Sequence, residues 1–178
     1  LSPMIVALIW GRIYDPLIGL LNTFLKILGY GHLARGWLGS PEWALAAVCI
    51  ANSWRAYGYY MILYLAGLQS VDPTLYDAAK VDGTNGWQEF WYITLPSIRP
   101  TTTLVLSLAL INSLMSFDMV WGMTQGGPFH RSEVLSTLIY KTAFASNRVG
   151  YGCALSLMQA ILIFVITILF IRIRERSE

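Results

Sequence analysis

Three long apolar segments, at residues 43–68, 101–123 and 151–171, constrain the fold of this chain more than any other feature. A transmembrane helix needs roughly 20 mostly apolar residues, and each segment reaches that length. Residues 1–10 are also apolar but are too short to cross a bilayer alone. Only 12% of the residues are charged, against about 25% in a typical soluble domain. The sequence therefore predicts an all-α, polytopic transmembrane helical bundle, with three complete helices and the end of a fourth.

The residue types that carry most enzyme chemistry are sparse or isolated in this chain. Cys49 and Cys153 lie within apolar runs and are interpreted as small buried residues, neither a disulfide nor metal ligands. His32 and His130 each stand alone in a loop. The phosphate-binding motif Gly-x-x-x-x-Gly-Lys-Ser/Thr is absent from the sequence, as are Gly-x-Ser-x-Gly and His-Glu-x-x-His. We therefore expect no catalytic site, no metal and no cofactor in this chain, and a net charge of +2 does not indicate nucleic-acid binding.

Structured loops separate the apolar segments. Residues 17–28 form a short amphipathic run that predicts an interfacial helix, and Gln-Gly-Gly-Pro at 125–128 predicts a turn. Basic residues are nearly balanced between the two sides of the bundle, five against six, so the positive-inside rule does not orient it by count. The arginines at 172–176, directly after the last apolar segment, favour a cytoplasmic C-terminal tail.

The loop from residue 71 to residue 100 begins with clear signals for a short helix. Asp72 suits a helix N-cap and Pro73 suits the first helical turn, so a helix is predicted over 74–81. Gly83 is expected to end or bend that helix, because glycine adopts the backbone conformations that a helix terminus requires.

The second half of this loop predicts another short helix, over residues 87–92 and rich in aromatic side chains. Pro96 and Pro100 are expected to close the loop before the next membrane helix. Two short helices joined by an elbow, lying outside the bilayer, form a shape suited to docking against a partner. The plain alternative is an amphipathic linker with no partner.

The same loop resembles a sequence pattern of the membrane subunits of ABC importers. That pattern reads Glu-Ala-Ala, three residues, Gly, nine residues, and Ile-x-Leu-Pro. The matching residues here are Asp77, Ala78, Ala79, Gly83, Ile93, Leu95 and Pro96. Every spacing agrees, and the one departure is Asp77 in place of the glutamate. The charge is kept on a shorter side chain, so the resemblance retains a contact to the ATPase but leaves its geometry open.

The resemblance covers essentially all 178 residues and includes features of the carbohydrate-importer branch. It implies that residues 1–178 are the C-terminal part of the transmembrane domain of a permease subunit with roughly six helices. The implied location is the cytoplasmic (inner) membrane of a bacterium or archaeon, with the 71–100 loop and the C-terminal tail cytoplasmic. The implied partners are an ATP-binding cassette subunit that holds the ATP and Mg²⁺, a second membrane subunit, an extracytoplasmic solute-binding protein and a small-molecule sugar.

Polar residues inside the predicted membrane helices are candidates for substrate contacts, because such residues are costly in a bilayer. The candidates on two successive helices are Asn52, Arg55, Ala56 and Tyr59, followed by Asn112, Ser113 and Ser116. At 3.6 residues per turn, each group falls on or beside one helix face. We expect the two faces to line one cavity and to offer sugars amide, hydroxyl and aromatic groups.

By resemblance to the larger membrane subunit of the maltose importer, these seven positions are the sugar-contacting ones. Only Asn52 and Tyr59 keep the residue type, which implies a different substrate or a site shared unequally with the second membrane subunit. Other roles stay open. The two serines also suit hydrogen bonds between helices, and Arg55 also suits an ion pair with Asp118, a contact to another helix, or snorkelling to the surface.

The leading hypothesis is therefore a permease subunit for carbohydrate import, which is not itself an enzyme. Import of a sugar phosphate or polyol ester is an alternative that Arg55 supports. A non-transporting membrane anchor or assembly subunit is a second alternative, but it needs neither the loop pattern nor polar residues on two facing helices. A membrane-embedded enzyme is opposed by the missing catalytic motifs.

Overall fold

A computed structural model describes residues 1–175, and no strand occurs among them. The helices, in chain order, are α1 (Pro3–Ile13), α2 (Leu20–Ile27), α3 (Ala44–Gln69), α4 (Pro73–Val81), α5 (Gly86–Glu89), α6 (Leu95–Ser97), α7 (Arg99–Leu114), α8 (Asp118–Met123), α9 (Leu135–Tyr140) and α10 (Val149–Glu175). A 3₁₀ turn at Gly31–Leu33 and π-helical turns at Phe90–Thr94 and Lys141–Ala145 complete the helical elements of this part of the chain. The all-α class is confirmed.

The two longest helices lie where the apolar segments predict them. α3 has 26 residues and corresponds to the segment at 43–68. α10 has 27 residues and extends the segment at 151–171 at both ends. Arg172 and Arg174 therefore belong to α10, while Arg176 of the predicted cytoplasmic tail lies outside the described residues.

Few of the described helices are both long and apolar enough to cross a bilayer. Judged by length and composition, Val149–Arg174 qualifies alone within residues 1–175. The helical stretches Gly86–Ser97 and Arg99–Leu114, bent by 65° at Ile98, qualify together if they form one span. α3 is long enough but carries polar residues through its middle, at 52–60, and these lower its hydropathy.

The predicted continuous helix at 101–123 is wrong, because the structure interrupts it. α7 ends at Leu114, and α8 starts only at Asp118, after Phe117 has left the helical conformation (φ −126°, ψ −58°). At the interruption the Ser116 amide donates to the Ser113 carbonyl, 3.3 Å away, in a tight turn. Serine and aspartate favour such turns because their short polar side chains compete with helical hydrogen bonding.

The interfacial helix predicted at 17–28 is shorter in the structure, where α2 begins at Leu20. The cause is Asp15, whose Oδ1 accepts hydrogen bonds from the amides of Leu17 (2.8 Å) and Ile18 (3.0 Å). This side chain holds the following residues in a turn and prevents the helix from starting earlier. The same bonds, first from Ile18 and then from Leu17, lower the pKa of Asp15.

The described chain divides into two compact units. The first unit comprises Leu1–Ala56 and Ser113–Phe164. Its core contains Val6, Ala7, Tyr14, Ala47, Val48, Ala51, Met119 and Val120. Here α8 packs closely on α1. The approach is so close that a Cβ on Gly122 would lie 2.8 Å from the Ala7 side chain.

The second unit comprises Tyr57–Asn112 and the chain from Val165 onward, and it contains the 71–100 loop. Within it, Gly67 of α3 lies directly against Thr101 of α7, so that any larger residue at Gly67 would collide with that side chain. Arg174 Nε also donates to Thr103 Oγ1 at 3.4 Å, which ties the end of α10 to α7.

Candidate functional site

The first helix of the 71–100 loop, α4, is capped at both ends by residues of the loop. The Asp72 carboxylate accepts from the Thr74 amide at 2.9 Å, as an N-cap does. At the other end Gly83 has φ +76°, and its amide donates to the Lys80 carbonyl at 3.1 Å, while the Thr84 amide donates to the Ala79 carbonyl at 3.1 Å. These two bonds form a Schellman motif, which requires the left-handed conformation at Gly83. The elbow therefore lies where the sequence predicts it.

The second helix of the loop starts from a capping box and runs further than predicted. Asn85 Oδ1 accepts from the Gln88 amide, and Gln88 Oε1 accepts from the Asn85 amide, both at 2.9 Å. The helical path continues to Ser97, and its 65° bend at Ile98 lies between Pro96 and Pro100, where the sequence predicts that the loop closes. Pro96 has no amide to donate, so the preceding turn widens to a π-helical turn in which the Leu95 amide bonds the Phe90 carbonyl.

Side chains connect the two short helices to each other. The Tyr76 hydroxyl of α4 and the Thr94 hydroxyl of the π-helical turn are 2.9 Å apart. The Thr84 hydroxyl donates to the Ala79 carbonyl at 2.9 Å, across the elbow. Ala79 is buried, as is Ile98 at the bend. The 71–100 loop is therefore a body whose shape is set by bonds among its own residues.

The seven residues of the loop pattern divide into an outer and an inner set. Asp77, Ala78 and Gly83 are exposed, and Asp77 pairs only with the equally exposed Lys80, at 3.4 Å. Such an exposed pair contributes little to stability. The other members of the pattern are buried or half-buried, namely Ala79, Ile93, Leu95 and Pro96. The outer set is available to a partner, and the inner set supports the shape of the loop.

Large apolar side chains cover the outside of the loop. Val81 is 88% exposed, Tyr92 79% and Trp87 72%, and Phe90 and Trp91 are also exposed. The rings of Trp87 and Phe90 stack, with their centroids 6.1 Å apart. Trp91 contacts both of these rings, so the three aromatic side chains form one exposed group. The sequence indicates the aromatic residues, but their common exposure appears only in the fold.

On α3, the structure brings two of the predicted substrate residues together. Asn52 Oδ1 accepts from both Nε (3.3 Å) and Nη2 (3.1 Å) of Arg55. Both side chains are half-buried, as is Ala56, whereas Tyr59 is more than half exposed and its ring packs against Tyr60. The structure gives Arg55 no ion pair within residues 1–175, so the suggested pairing with Asp118 does not occur there.

The remaining candidates lie at the end of α7. Ser113 and Asn112 are exposed, and Ser116 is half-buried at the interruption that follows. Asn112 and Tyr59 belong to the second compact unit, and the other five candidates belong to the first. The shared cavity expected from the sequence remains a prediction.

Gln159 is a polar residue that the sequence reading overlooks. Its Nε2 donates to the Leu114 carbonyl at 2.8 Å and to the Ser136 hydroxyl at 3.0 Å, so it connects α10 with the interruption after α7 and with α9. A signal is present in the sequence, because Gln159 is the one amide side chain within the apolar run at 151–171. An amide there is costly without partners.

The turn predicted at 125–128 is present and continues into a polar cluster. Gln125 and Gly126 both have positive φ, of 52° and 85°. Glu133 accepts from Lys141 Nζ at 2.7 Å and lies 2.9 Å from His130 Nδ1. Burial opposes ionisation of Glu133, but these two partners outweigh it and lower the pKa of the carboxyl.

Comparison with known proteins gives one consistent result. Residues 1–178 match the family described as binding-protein-dependent transport system inner membrane component. A probable ABC transporter permease protein of Pyrococcus horikoshii is 33% identical over 100% of this chain and 61% of its own length. The sulfoquinovosyl glycerol transport system permease protein SmoG of Agrobacterium fabrum is 33% identical over 90% of this chain and 51% of its own length.

A solved structure is also similar to this chain. It is that of a bacterial ABC transporter involved in the import of the acidic polysaccharide alginate, with a TM-score of 0.88 and 30% identity. The similarity covers 99% of this chain and 61% of the matched one. This chain thus spans between 51% and 61% of the length of these relatives.

Proposed function

The chain belongs to the family of binding-protein-dependent transport system inner membrane components, and on that premise we propose that it forms part of the membrane pathway of an ABC importer for carbohydrates. The names of the relatives support both the transport and the carbohydrate, since they include a sulfoquinovosyl glycerol permease and an alginate importer. The observation that carries the proposal is the 71–100 loop, a self-supported pair of helices with an exposed apolar outer surface.

In this proposal the loop docks on a separate ATP-binding cassette subunit, which holds ATP and Mg²⁺ and performs the hydrolysis. Asp77 and Ala78 face the ATPase, because they are exposed on the outside of the loop. The internal bonds of the loop support this role, since a body that keeps its shape transmits displacement to the attached helices α3 and α7. The loop and the C-terminal tail are then cytoplasmic.

The polar residues of α3 and α7 line the substrate pathway in this proposal, together with a second membrane subunit. Asn52 and Tyr59 are the principal contacts, because an amide and an aromatic ring suit sugar hydroxyls and sugar faces. Ala56 falls on the same helix face as these two residues by its spacing along α3. An extracytoplasmic solute-binding protein delivers the sugar, and closure of the ATPase alternates access to the pathway.

A second candidate function is the import of an acidic carbohydrate, and one observation favours it. The guanidinium of Arg55 bonds to the neutral Asn52, and within the described residues it has no anionic partner. A charge inside a membrane helix is costly unless it is compensated. The carboxylate of a uronic acid, or the phosphate of a sugar phosphate or polyol ester, would provide that compensation. The similar alginate importer takes an acidic polysaccharide.

The test of the main proposal is co-purification of the ATPase with the subunit as it exists in the cell, expressed with its partner subunits. Gly83→Asp is compared with Gly86→Asp. Both glycines have open space where a Cβ would lie, but only Gly83 needs positive φ. We expect Gly83→Asp to lose most of the bound ATPase and Gly86→Asp to keep it. If no ATPase accompanies the correctly inserted wild type, the importer proposal fails and the anchor hypothesis replaces it.

The second candidate is tested by uptake of glucose, glucuronate and glucose 6-phosphate in the same assembly. Arg55→Leu should abolish any preference for the two anions, and Arg55→Lys should retain part of it. An assembly that takes up glucose alone, with Arg55→Leu unchanged from wild type, would exclude the acidic class.

A further inference from the structure

Gln159 lies in the middle of α10, and its side-chain amide donates two hydrogen bonds to residues outside that helix. A glutamine NH₂ group has two donors. One donor bonds the Leu114 carbonyl at 2.8 Å, and the other bonds the Ser136 hydroxyl at 3.0 Å. Leu114 and Ser136 lie 45 and 23 residues before Gln159 in the sequence, and all three residues belong to the first compact unit. This set of three groups is called the Gln159 bracket below.

The carbonyl that Gln159 reaches is at the end of α7. The last carbonyl groups of any helix have no partner inside that helix. Where a membrane helix is interrupted, the freed groups are bound by neighbouring helices or by water in a cavity, because lipid offers them no partner. Gln159 does this for Leu114, the final residue of α7. The bracket therefore fixes the point at which the helix stops.

We propose that Gln159 is a positioning residue for the substrate pathway, which holds the end of α7 and thereby sets the place of Ser113 and Ser116. This inference rests on the proposed function for the role of the two serines, but the bracket itself rests on the bonds. Ser113 precedes Leu114 and Ser116 follows it by two residues, so neither serine can keep its place if that backbone moves. Interrupted helices form the substrate sites of many transporters for the same reason, since the freed backbone and its side chains face a cavity.

The bracket also ties the end of α7 to α9. A displacement of α9 acts on Ser136, and the shared amide transfers it to Leu114. The segment between the two, 115–134, contains α8 and the polar cluster around Glu133.

The test uses Gln159→Glu, which keeps the size and shape of the side chain but replaces the donating NH₂ by an acceptor. Ser116→Cys provides the probe, in a background in which Cys49 and Cys153 are alanine. The rate of its reaction with a membrane-impermeant maleimide reports the accessibility of the interruption and requires no transport. Ser156→Ala is the matched control, because Ser156 lies one turn before Gln159 on α10 and bonds only its own helix, at the Gly152 carbonyl.

We expect Gln159→Glu to change the labelling rate roughly five- to tenfold, as the loss of two ordinary hydrogen bonds implies. Ser136→Ala removes one of the two bonds and should shift the rate in the same direction by a smaller factor. In the complete assembly Gln159→Glu should raise the KM for the transported sugar more than it lowers kcat. Ser156→Ala should leave both measurements unchanged.

The outcomes separate the two proposals. If Gln159→Glu and Ser136→Ala both leave the labelling rate at the wild-type value, the bracket has no positioning role and the inference is overturned. If labelling responds but the wild-type assembly transports no carbohydrate, the proposed function fails while the bracket stands. Should Gln159→Glu not insert into the membrane, Ser136→Ala decides the question alone.

Discussion

The 71–100 loop and the interruption between α7 and α8 are both departures from regular helix, but different bonds hold them. The hydrogen bonds that shape the loop join residues within it, and the longest, between Tyr76 and Thr94, spans 18 positions. The interruption depends on Gln159, which is 45 positions from Leu114. The loop is thus held by its own residues, whereas the interruption combines a local turn at Ser113–Ser116 with a bond from α10.

This difference agrees with what each region does in the proposed importer. A docking body has to keep its shape while it is pushed, and bonds among neighbouring residues provide that stiffness. A substrate pathway has to change between two arrangements, and it can do so when a distant side chain sets its geometry. Removing a hydrogen bond from each region should therefore change hydrogen exchange in a different set of residues.

The largest effect should follow removal of the bracket by Gln159→Leu. Two hydrogen bonds are lost and the Leu114 carbonyl is left without its partner, which costs about 1–3 kcal/mol of local stability. Hydrogen exchange should rise in two segments at once, 113–123 and 135–145, because one amide serves both. The measurement is exchange by mass spectrometry on the purified complex, with Ser156→Ala as the control. A rise confined to α10 itself would contradict the comparison.

A smaller and strictly local effect is expected for Gly83→Ala. An L-residue in the left-handed conformation costs about 1 kcal/mol, and the structure leaves open space for the new methyl group. Exchange should rise only within 73–97, and Gly86→Ala should not raise it. Spread of the effect into residues 113–123 would show that the loop is not self-contained.

The bond between the two helices of the loop gives the next effect in size. Tyr76→Phe removes one hydroxyl and should cost about 0.5–1.5 kcal/mol, as a single hydrogen bond does. The double-mutant cycle with Thr94→Val should show coupling, because the two hydroxyls are partners at 2.9 Å. The readout is exchange in α4. Additive single effects would mean that the hydroxyls do not bond in solution.

The same contrast explains which features could be predicted from the sequence. The N-cap at Asp72 and the elbow at Gly83 are local, since each depends on residues a few positions away, and both lie where the pattern predicts them. The end of α7 depends only in part on such local signals, which are the turn-favouring Ser113, Ser116 and Asp118. Residues 101–123 are apolar enough for one helix, and the partner that satisfies the Leu114 carbonyl comes from a different apolar segment.

Pro96 shows a limit of a different kind. Its missing amide correctly signals a disturbance of the helix, but a helix has two ways to respond. The helix can end, or it can widen locally to a π-helical turn that bypasses the lost donor. The structure takes the second way, with Leu95 bonding Phe90. Sequence pattern alone does not distinguish these responses, because both accommodate the missing donor of Pro96.

The smallest effect concerns pH. It tests whether the N-cap of α4 at Asp72 depends only on neighbouring residues, as the elbow at Gly83 does. The hydrogen bond from the Thr74 amide lowers the pKa of Asp72 from its ordinary value of 3.8. The cap's contribution is therefore fully present above that ordinary value, and it is lost as the pH falls through the lowered pKa of the folded state. Asp72→Asn keeps an N-cap that does not titrate. The protection of α4 amides, taken relative to their intrinsic exchange rate at each pH, should fall in the wild type between neutral pH and the region below 3.8 and stay constant in Asp72→Asn. An equal loss of protection in both proteins would assign the acid sensitivity to carboxyl groups other than the cap, such as Asp77, Asp82 or Glu89.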